Sequence, residues 1–201
     1  KVVLASTRGE TARAFAEAAH VTRLKPITTR VAPNPMEPRA CVIDYDAASE
    51  SYDIYSPSQG INMLRRQFSV LTSVPEEKLR LHLHDTGGSF GQRSAVYPEY
   101  AAQMIAAKQL GRPVKWVGSR SECFMSDSHG RAIDITGELA LDRDGKFLAA
   151  RYQFDCDMGA YLTPTGCVSH LRNPATCMTG VYRIPALYGS FRVILTNTVP
   201  V

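Results

Sequence analysis

At residues 86–93 the chain reads TGGSFGQR, a glycine-rich loop between a predicted strand and a predicted helix. Before the loop, Leu79, Leu81 and Leu83 alternate with polar residues, which is the period of a half-buried strand. After the loop, apolar residues recur at helical spacing as far as Gly111, a residue typical of a helix end. Glycine has no Cβ, so backbone N–H groups in such a loop can approach a ligand closely. The pattern therefore predicts that this loop binds an anionic oxygen.

Composition places the chain among ordinary globular proteins. Its 201 residues fit one domain or two small lobes, and 44% of them are hydrophobic and 21% charged. The net charge of +4 is scattered along the chain, which argues against a nucleic-acid partner, and no apolar run is long enough to cross a membrane. The five cysteines include no C-x-x-C pair, so neither a disulfide framework nor a metal site built from this chain is expected. We therefore expect reduced cysteines in a cytoplasmic protein.

The predicted elements mix helices with β-hairpins. A capping box at 7–10 predicts a first helix, and two strands at 41–45 and 52–55 predict a hairpin. A second hairpin turns at 142–146, and the last strand candidate covers 190–195. Since strands and helices do not alternate regularly, the sequence predicts an α+β fold.

Gln59 is the first candidate site residue outside the loop. It lies in the segment SPSQG at 56–60, which ends a predicted strand and opens the second helix. Its carboxamide offers both a hydrogen-bond donor and an acceptor to a ligand. On this segment alone, a glutamine that caps the helix or faces solvent is the simpler interpretation.

A competing interpretation makes Ser89 a nucleophile. Residues 87–91 match G-x-S-x-G, the nucleophile elbow of α/β-hydrolases, and lie between a strand and a helix as that motif requires. His170 would have to serve as the base, no HGGG segment precedes the motif, and the helical pattern begins some residues too late. The hydrolase hypothesis therefore stands second.

Four other positions carry weaker signals. His82 and His84 share one strand face and suggest a metal site, although a solvent-facing polar side explains them better. Asp157 leaves a strand before a loop rich in Gly, Thr and Pro, where an acid can be catalytic but more often caps a turn. Arg172 is a candidate anion ligand, with a surface loop as the simpler interpretation.

Several short motifs follow one another in an order that is far more specific than any one of them. They are NPMEPR at 34–39, SQ at 58–59, GGSFG at 87–91, GRPVKW at 111–116, RSE at 120–122, DMGAY at 157–161, YRIP at 182–185 and TN at 196–197. In this order they closely resemble the molybdenum hydroxylase large subunit. That family includes xanthine dehydrogenase, aldehyde oxidase and aerobic carbon monoxide dehydrogenase, and the resemblance runs over nearly the whole chain.

The resemblance implies roles for the candidate residues. Gln59 would hydrogen-bond an oxo ligand of the metal, and Gly88, Ser89, Phe90 and Gly91 would lie against the apical ligand and the pterin. The implied cofactor is molybdopterin with molybdenum, for which the cytosine dinucleotide is one available form. The implied reaction hydroxylates a carbon centre with an oxygen derived from water.

The resemblance also implies a larger assembly. Residues 1–201 would be a single molybdopterin-binding domain or part of one, as a fragment or a separately encoded part of the large subunit. Its partners would be the rest of the large subunit and the iron–sulfur and FAD subunits or domains, and the assembly would be a homodimer. A non-enzymatic alternative is a truncated product that exposes an unpaired interface.

Two departures from the family pattern bear on the site. Family members usually carry three consecutive glycines before the phenylalanine, and here the third is Ser89. Purine-oxidising members have a glutamate where this chain has Ser94, so xanthine is not the expected substrate. The family's next substrate-lining loop would follow Val201, and its general-base glutamate lies farther on. We therefore expect the chain to bind, or help bind, the cofactor within a full assembly, and we do not expect it to turn over alone.

Overall fold

The computed structural model describes residues 2–201, with side chains from Leu4 onward. The chain forms two compact units: unit 1 comprises residues 2–31 and His129–Val201, and unit 2 comprises Ala32–Ser128. The strands, in chain order, are β1 (Val2–Arg8), β2 (His20–Leu24), β3 (Ile27–Val31), β4 (Ala40–Asp46), β5 (Ser51–Tyr55), β6 (Leu79–His82), β7 (Val114–Val117), β8 (Gly130–Leu141), β9 (Phe147–Asp157) and β10 (Ala186–Ile194). The helices are α1 (Thr11–Glu17), α2 (Ile61–Thr72), α3 (Pro98–Leu110), α4 (Arg120–Ser126), α5 (Pro164–Cys167) and α6 (Asn173–Cys177).

Unit 2 is a four-stranded sheet covered by helices. The strand order is β6-β5-β4-β7; β4 pairs antiparallel with β5 and β7, whereas β5 and β6 are parallel and connected through α2. Helix α2 buries Leu64 and Phe68, one helical turn apart, because that spacing places both on one face. They pack in one continuous core with Ile43, Ile54 and Tyr100. This core includes residues of β5, β6 and α2, and so fixes the ends of the segments that follow β5 and β6.

Unit 1 is built on a larger mixed sheet. Its path is β1-β10-β9-β8-β2, with β3 also paired to β8. Strands β8 and β9 form a long antiparallel hairpin, while β9 and β10 are parallel. Helices α5 and α6, with a π-helical turn between them at Val168–Arg172, lie in the connection from β9 to β10. Helix α1 packs with Ala14 and Phe15 against Ala149 and Ala186 of the sheet.

The α+β fold class predicted from the sequence is confirmed, and local patterns located most elements. Helix α3 ends at Gly111 with φ 60°, the left-handed C-cap that its position predicts. The capping box at 7–10 was wrong, because Thr7 lies in β1 and the N-cap Glu10 makes no side-chain cap bond. The helices within Pro164–Cys177 were missed, since segments of four or five residues are too short to show a period.

No helix in the described part of the chain is both long enough and apolar enough to traverse a lipid bilayer.

Candidate cofactor-binding site

The parallel pairing of β5 and β6 brings two predicted segments to one edge of the unit 2 sheet. The last residues of the two strands, Tyr55 and His82, are direct partners in the register. The segment that leads into α2 therefore leaves the sheet beside the segment that leads into the glycine loop. In parallel sheets, ligands bind at this carboxyl edge.

Gln59 and the glycine loop are joined by three hydrogen bonds. The Ser89 hydroxyl donates to Gln59 Oε1, and the Gly91 N–H donates to the same oxygen at 2.9 Å. The Gln59 N–H donates in turn to the Arg93 carbonyl oxygen at 3.2 Å. The structure thus brings together residues that lie 30 positions apart in the sequence.

Several donors at this junction stay available. The N–H groups of Gly88, Ser89 and Phe90 have no hydrogen-bond partner within residues 2–201, and neither has Nε2 of Gln59. Gly88 and Gly91 adopt φ +106° and +101°, and Phe90 adopts φ 54°, so the loop depends on left-handed backbone. Neutral N–H donors that have no acceptor within the chain suit a ligand with several negatively charged oxygens. The oxo ligands and the phosphate of molybdopterin carry such oxygens.

A proline-bearing segment supports the loop from one side. The Glu37 N–H donates to the Gly87 carbonyl at 3.2 Å, and the Gly87 N–H donates back to Glu37 Oε2 at 2.9 Å. A Cβ on Gly88 would lie 3.2 Å from Cβ of Pro35. Arg120 donates to Oδ1 of Asn34 at 2.6 Å and so fixes the start of the same segment. The NPMEPR motif is therefore a wall of the site.

A buried charged cluster in unit 2 was not assigned from the sequence. Arg39 is fully buried and contacts Asp127 at 2.7 Å, Glu99 at 3.0 Å and the ring of Tyr97 at 3.8 Å. Burial alone would lower the pKa of Arg39, but hydrogen bonding to Glu99 and the charge of Asp127 outweigh it and raise that pKa. Burial alone would raise the pKa of Glu99, but the Arg39 guanidinium holds it below its usual value. The cluster ties β4, α3 and the end of α4 together, and no local pattern marks it.

The hydrolase hypothesis finds no support in these contacts. The Ser89 hydroxyl donates to a carboxamide oxygen, which cannot act as a base, and accepts from the Arg93 N–H at 3.2 Å. The base proposed for it, His170, lies in unit 1 with Nδ1 2.8 Å from the Ser169 hydroxyl and Nε2 2.6 Å from the Arg131 carbonyl. Burial lowers the pKa of His170. Both ring nitrogens are already engaged.

The histidines of β6 and the following loop form polar contacts. His82 Nε2 lies 2.7 Å from Oδ1 of Asp53, and the His82 ring stacks on Tyr55 at 4.4 Å. Hydrogen bonds from Arg80 and His82 lower the pKa of Asp53 to about 2. His84 lies beyond the end of β6, with its ring 6.4 Å from that of Tyr55. Within residues 2–201, no group of three potential ligand side chains is close enough to hold a metal ion.

The acids of β9 are structural. Asp157 accepts from the Gly159 N–H at 2.9 Å and from the Thr196 hydroxyl at 2.7 Å, which is the turn-capping alternative considered for it. Asp155 pairs with Arg192 on the neighbouring strand. Arg172 ends the π-helical turn and is exposed, so its placement in a surface loop was wrong.

Comparison with known proteins gives the family. A family model described as the molybdopterin cofactor-binding domain matches residues 1–201. The chain is 37% identical to the gamma subunit of the 6-hydroxypseudooxynicotine dehydrogenase complex of Paenarthrobacter nicotinovorans, over 96% of the chain and 24% of that protein. It is 35% identical to the carbon monoxide dehydrogenase large chain of Hydrogenophaga pseudoflava, over 85% of the chain and 21% of that protein. The crystal structure of quinoline 2-oxidoreductase from Pseudomonas putida 86 superposes with a TM-score of 0.89 at 30% identity, covering all of this chain and 26% of that one.

The chain belongs to the molybdopterin cofactor-binding domain family. This confirms three predictions from the sequence: the family, the α+β fold of that type, and molybdopterin with molybdenum as the cofactor. The chain spans about a quarter of the length of the relatives it matches. The assignment of Gln59, Gly88, Ser89, Phe90 and Gly91 to the cofactor stays a prediction.

Proposed function

We propose that this chain forms the part of an oxidoreductase large subunit that contacts the molybdenum end of molybdopterin. The observation that supports the proposal is the junction of Gln59 with the glycine loop, where four neighbouring N–H donors have no partner within the described residues. When bound, molybdopterin supplies the redox centre at which a carbon atom is hydroxylated with an oxygen from water. Residues 1–201 act as one cofactor-binding domain, or as part of one.

Each site residue has a defined task in this proposal. Gln59 Nε2 and the N–H groups of Gly88, Ser89 and Phe90 donate to oxygen atoms of the cofactor. They are neutral, so they stabilise negative charge without adding a group that exchanges protons near neutral pH. Gly91 admits the ligand, because no atom of the described chain beyond Gly91 and its two chain neighbours lies within 4 Å of a Cβ built on it. Donors around a metal centre also tune its electronics.

The names of the relatives support a larger assembly but name none of its other members. Those names describe a subunit of a dehydrogenase complex and a large chain, so we propose that this chain acts with the rest of a large subunit and with iron–sulfur and FAD partners in a homodimeric assembly. We place the assembly in the cytoplasm, where the free cysteines stay reduced. We propose the cytosine dinucleotide as the form of the pterin, to be identified by mass spectrometry of the extracted cofactor.

The test is the substitution Gln59→Ala in the complete enzyme, with Gln109→Ala, an exposed residue of α3, as the matched control. Molybdenum and pterin per subunit are measured first, followed by turnover with 6-hydroxypseudooxynicotine, quinoline and carbon monoxide. We expect Gln59→Ala to lower turnover by about 100-fold, the effect of removing one donor aimed at developing charge. The unfolding temperature should fall only slightly, because Gln59 is exposed and the variant loses only the two hydrogen bonds that its Oε1 accepts from the loop. Unchanged turnover and cofactor content in Gln59→Ala would refute the assignment.

A further inference from the structure

The hydroxyl of Ser89 lies between the Arg93 N–H, which can only donate, and the Gln59 carboxamide, which presents its oxygen to the hydroxyl. The backbone N–H of Arg93 can only donate, and it donates to Ser89 Oγ at 3.2 Å. The hydroxyl hydrogen of Ser89 is therefore free to point elsewhere, and it is donated to Gln59 Oε1. The direction of this short relay is set by the backbone, from Arg93 through Ser89 to Gln59.

The relay determines which end of the Gln59 carboxamide is available. Oε1 receives both the Ser89 hydroxyl and, at 2.9 Å, the Gly91 N–H, which together occupy its two lone pairs. Rotating the amide by half a turn would set its NH₂ group against the Gly91 N–H, a contact between two donors. The side chain is thus held with Nε2 directed away from the loop's own groups.

We propose that Ser89 is a positioning residue that locks Gln59 so that it presents only a donor to the ligand. The inference rests on the proposed function, because the ligand in question is the molybdenum end of the cofactor. A donor-only amide selects an unprotonated oxygen as its partner and disfavours a protonated one. The Gly91 N–H already favours this orientation of the amide, and the serine that stands at the third glycine of the family pattern adds a second donor to Oε1 that a glycine cannot supply.

The backbone allows this proposal to be tested by substitution. Ser89 does not lie in the left-handed region, so alanine, glycine and threonine can take its place without conformational strain. Ser89→Ala and Ser89→Gly remove the hydroxyl, whereas Ser89→Thr keeps it. Ser69→Ala, in α2, is the control for loss of a serine hydroxyl elsewhere in unit 2.

The experiment measures the cofactor in the purified complete enzyme. Molybdenum and pterin per subunit are determined after extended dialysis, and the Mo(V) EPR spectrum of the reduced enzyme is recorded. We expect Ser89→Ala and Ser89→Gly to retain about 2- to 10-fold less cofactor than the parent, the range of one neutral hydrogen bond, and to shift the EPR spectrum. Ser89→Thr and Ser69→Ala should match the parent in both measurements.

Two outcomes would overturn the proposal. One is parental cofactor retention and an unchanged spectrum in Ser89→Ala and Ser89→Gly. The other is equal loss in all three Ser89 variants, which would attribute the effect to packing of the loop rather than to the hydroxyl. Absence of molybdenum and pterin from the parent enzyme itself would instead refute the proposed function.

Discussion

Each unit contains two adjacent parallel strands, and a loop leaves the carboxyl edge of each pair. In unit 1 the loop after β9 bonds to the last residue of β10 and to the chain that follows it: the Met158 N–H donates to the Ile194 carbonyl and the Ala160 N–H to the Thr198 carbonyl, both at 2.9 Å. In unit 2 the glycine loop after β6 leaves the N–H groups of three consecutive residues without a partner in the described chain. The same topology thus produces one loop closed by its own backbone and one loop open to a ligand.

The glycines of the two loops show the same contrast in space. Gly159, with φ +76°, is so close to the following chain that a Cβ would lie 2.2 Å from the Val199 carbonyl oxygen. Gly91, with φ +101°, would carry a Cβ that meets no atom of the described chain within 4 Å, its two chain neighbours aside. Gly159 is thus a left-handed glycine that the packing of the fold requires, whereas Gly91 is a left-handed glycine with free space beside the candidate site.

The largest expected loss of stability comes from adding a Cβ at Gly159, in the loop that follows β9. Gly159→Ala should destabilise the protein by about 2–6 kcal/mol, because it combines left-handed backbone with overpacking against backbone atoms. Chemical denaturation measures the loss. Gly145→Ala is the matched control in unit 1, since Gly145 has φ +79° in the β8–β9 turn but open space around its Cβ. Equal losses for the two variants would show that crowding at Gly159 is unimportant.

Gly91→Ala, in the glycine loop, should destabilise the protein less than Gly159→Ala but should lower the cofactor content more. Gly91→Ala should destabilise the protein by about 1–3 kcal/mol through its positive φ alone. It should also strip molybdenum and pterin from the purified enzyme, because the Cβ occupies the space left for the ligand. Gly145→Ala has the same backbone strain and should keep its cofactor. Full cofactor content in Gly91→Ala would contradict the distinction between the loops.

The smallest expected effect is on the pH dependence of folding stability. Burial alone would raise the pKa of Asp157, but hydrogen bonds from Gly159 and Thr196 and the charge of Arg30 lower it below its ordinary value of 3.8. The charged carboxylate therefore stabilises the fold above about pH 4, and this contribution disappears as the pH falls through the lowered pKa.

Asp157→Asn keeps an oxygen acceptor for Gly159 and loses only the charge. Its cost at pH 7 should be about 1 kcal/mol or less, and the acid limb of the stability curve should flatten. Urea unfolding between pH 2 and 7 measures both, with the exposed Asp144→Asn as control. An unchanged acid limb in Asp157→Asn would remove Asp157 as a source of the pH dependence.

Local sequence patterns predicted what depends on local physics. The alternation at Leu79 and Leu81, the glycine-rich loop and the Gly111 helix stop were all found where the chain predicted them, because each reflects a backbone preference within a few residues. The proximity of Gln59 to the loop was predicted only through the family resemblance. Nothing in either segment alone indicates that the other is its neighbour.

Features that depend on residues far apart in the chain were not predicted from the sequence. The parallel pairings of β5 with β6 and β9 with β10 join strands far apart in the chain, and strand composition does not encode which strands pair. The burial of Arg39 depends on Glu99 and Asp127, at distant positions. The sequence predicted the glycine loop but not which of its N–H groups are unpaired, because Glu37 and Gln59 accept hydrogen bonds from some of them.

The pairing of Tyr55 with His82 at the ends of β5 and β6 affects how much conformational entropy is lost when the ligand binds. Both halves of the cradle are anchored to one sheet, and hydrogen bonds within the chain itself hold them together. Because the receptor is preorganised, little conformational entropy remains to be lost on docking. The free energy of the contacts with the prosthetic group is therefore spent on binding and not on ordering the cradle.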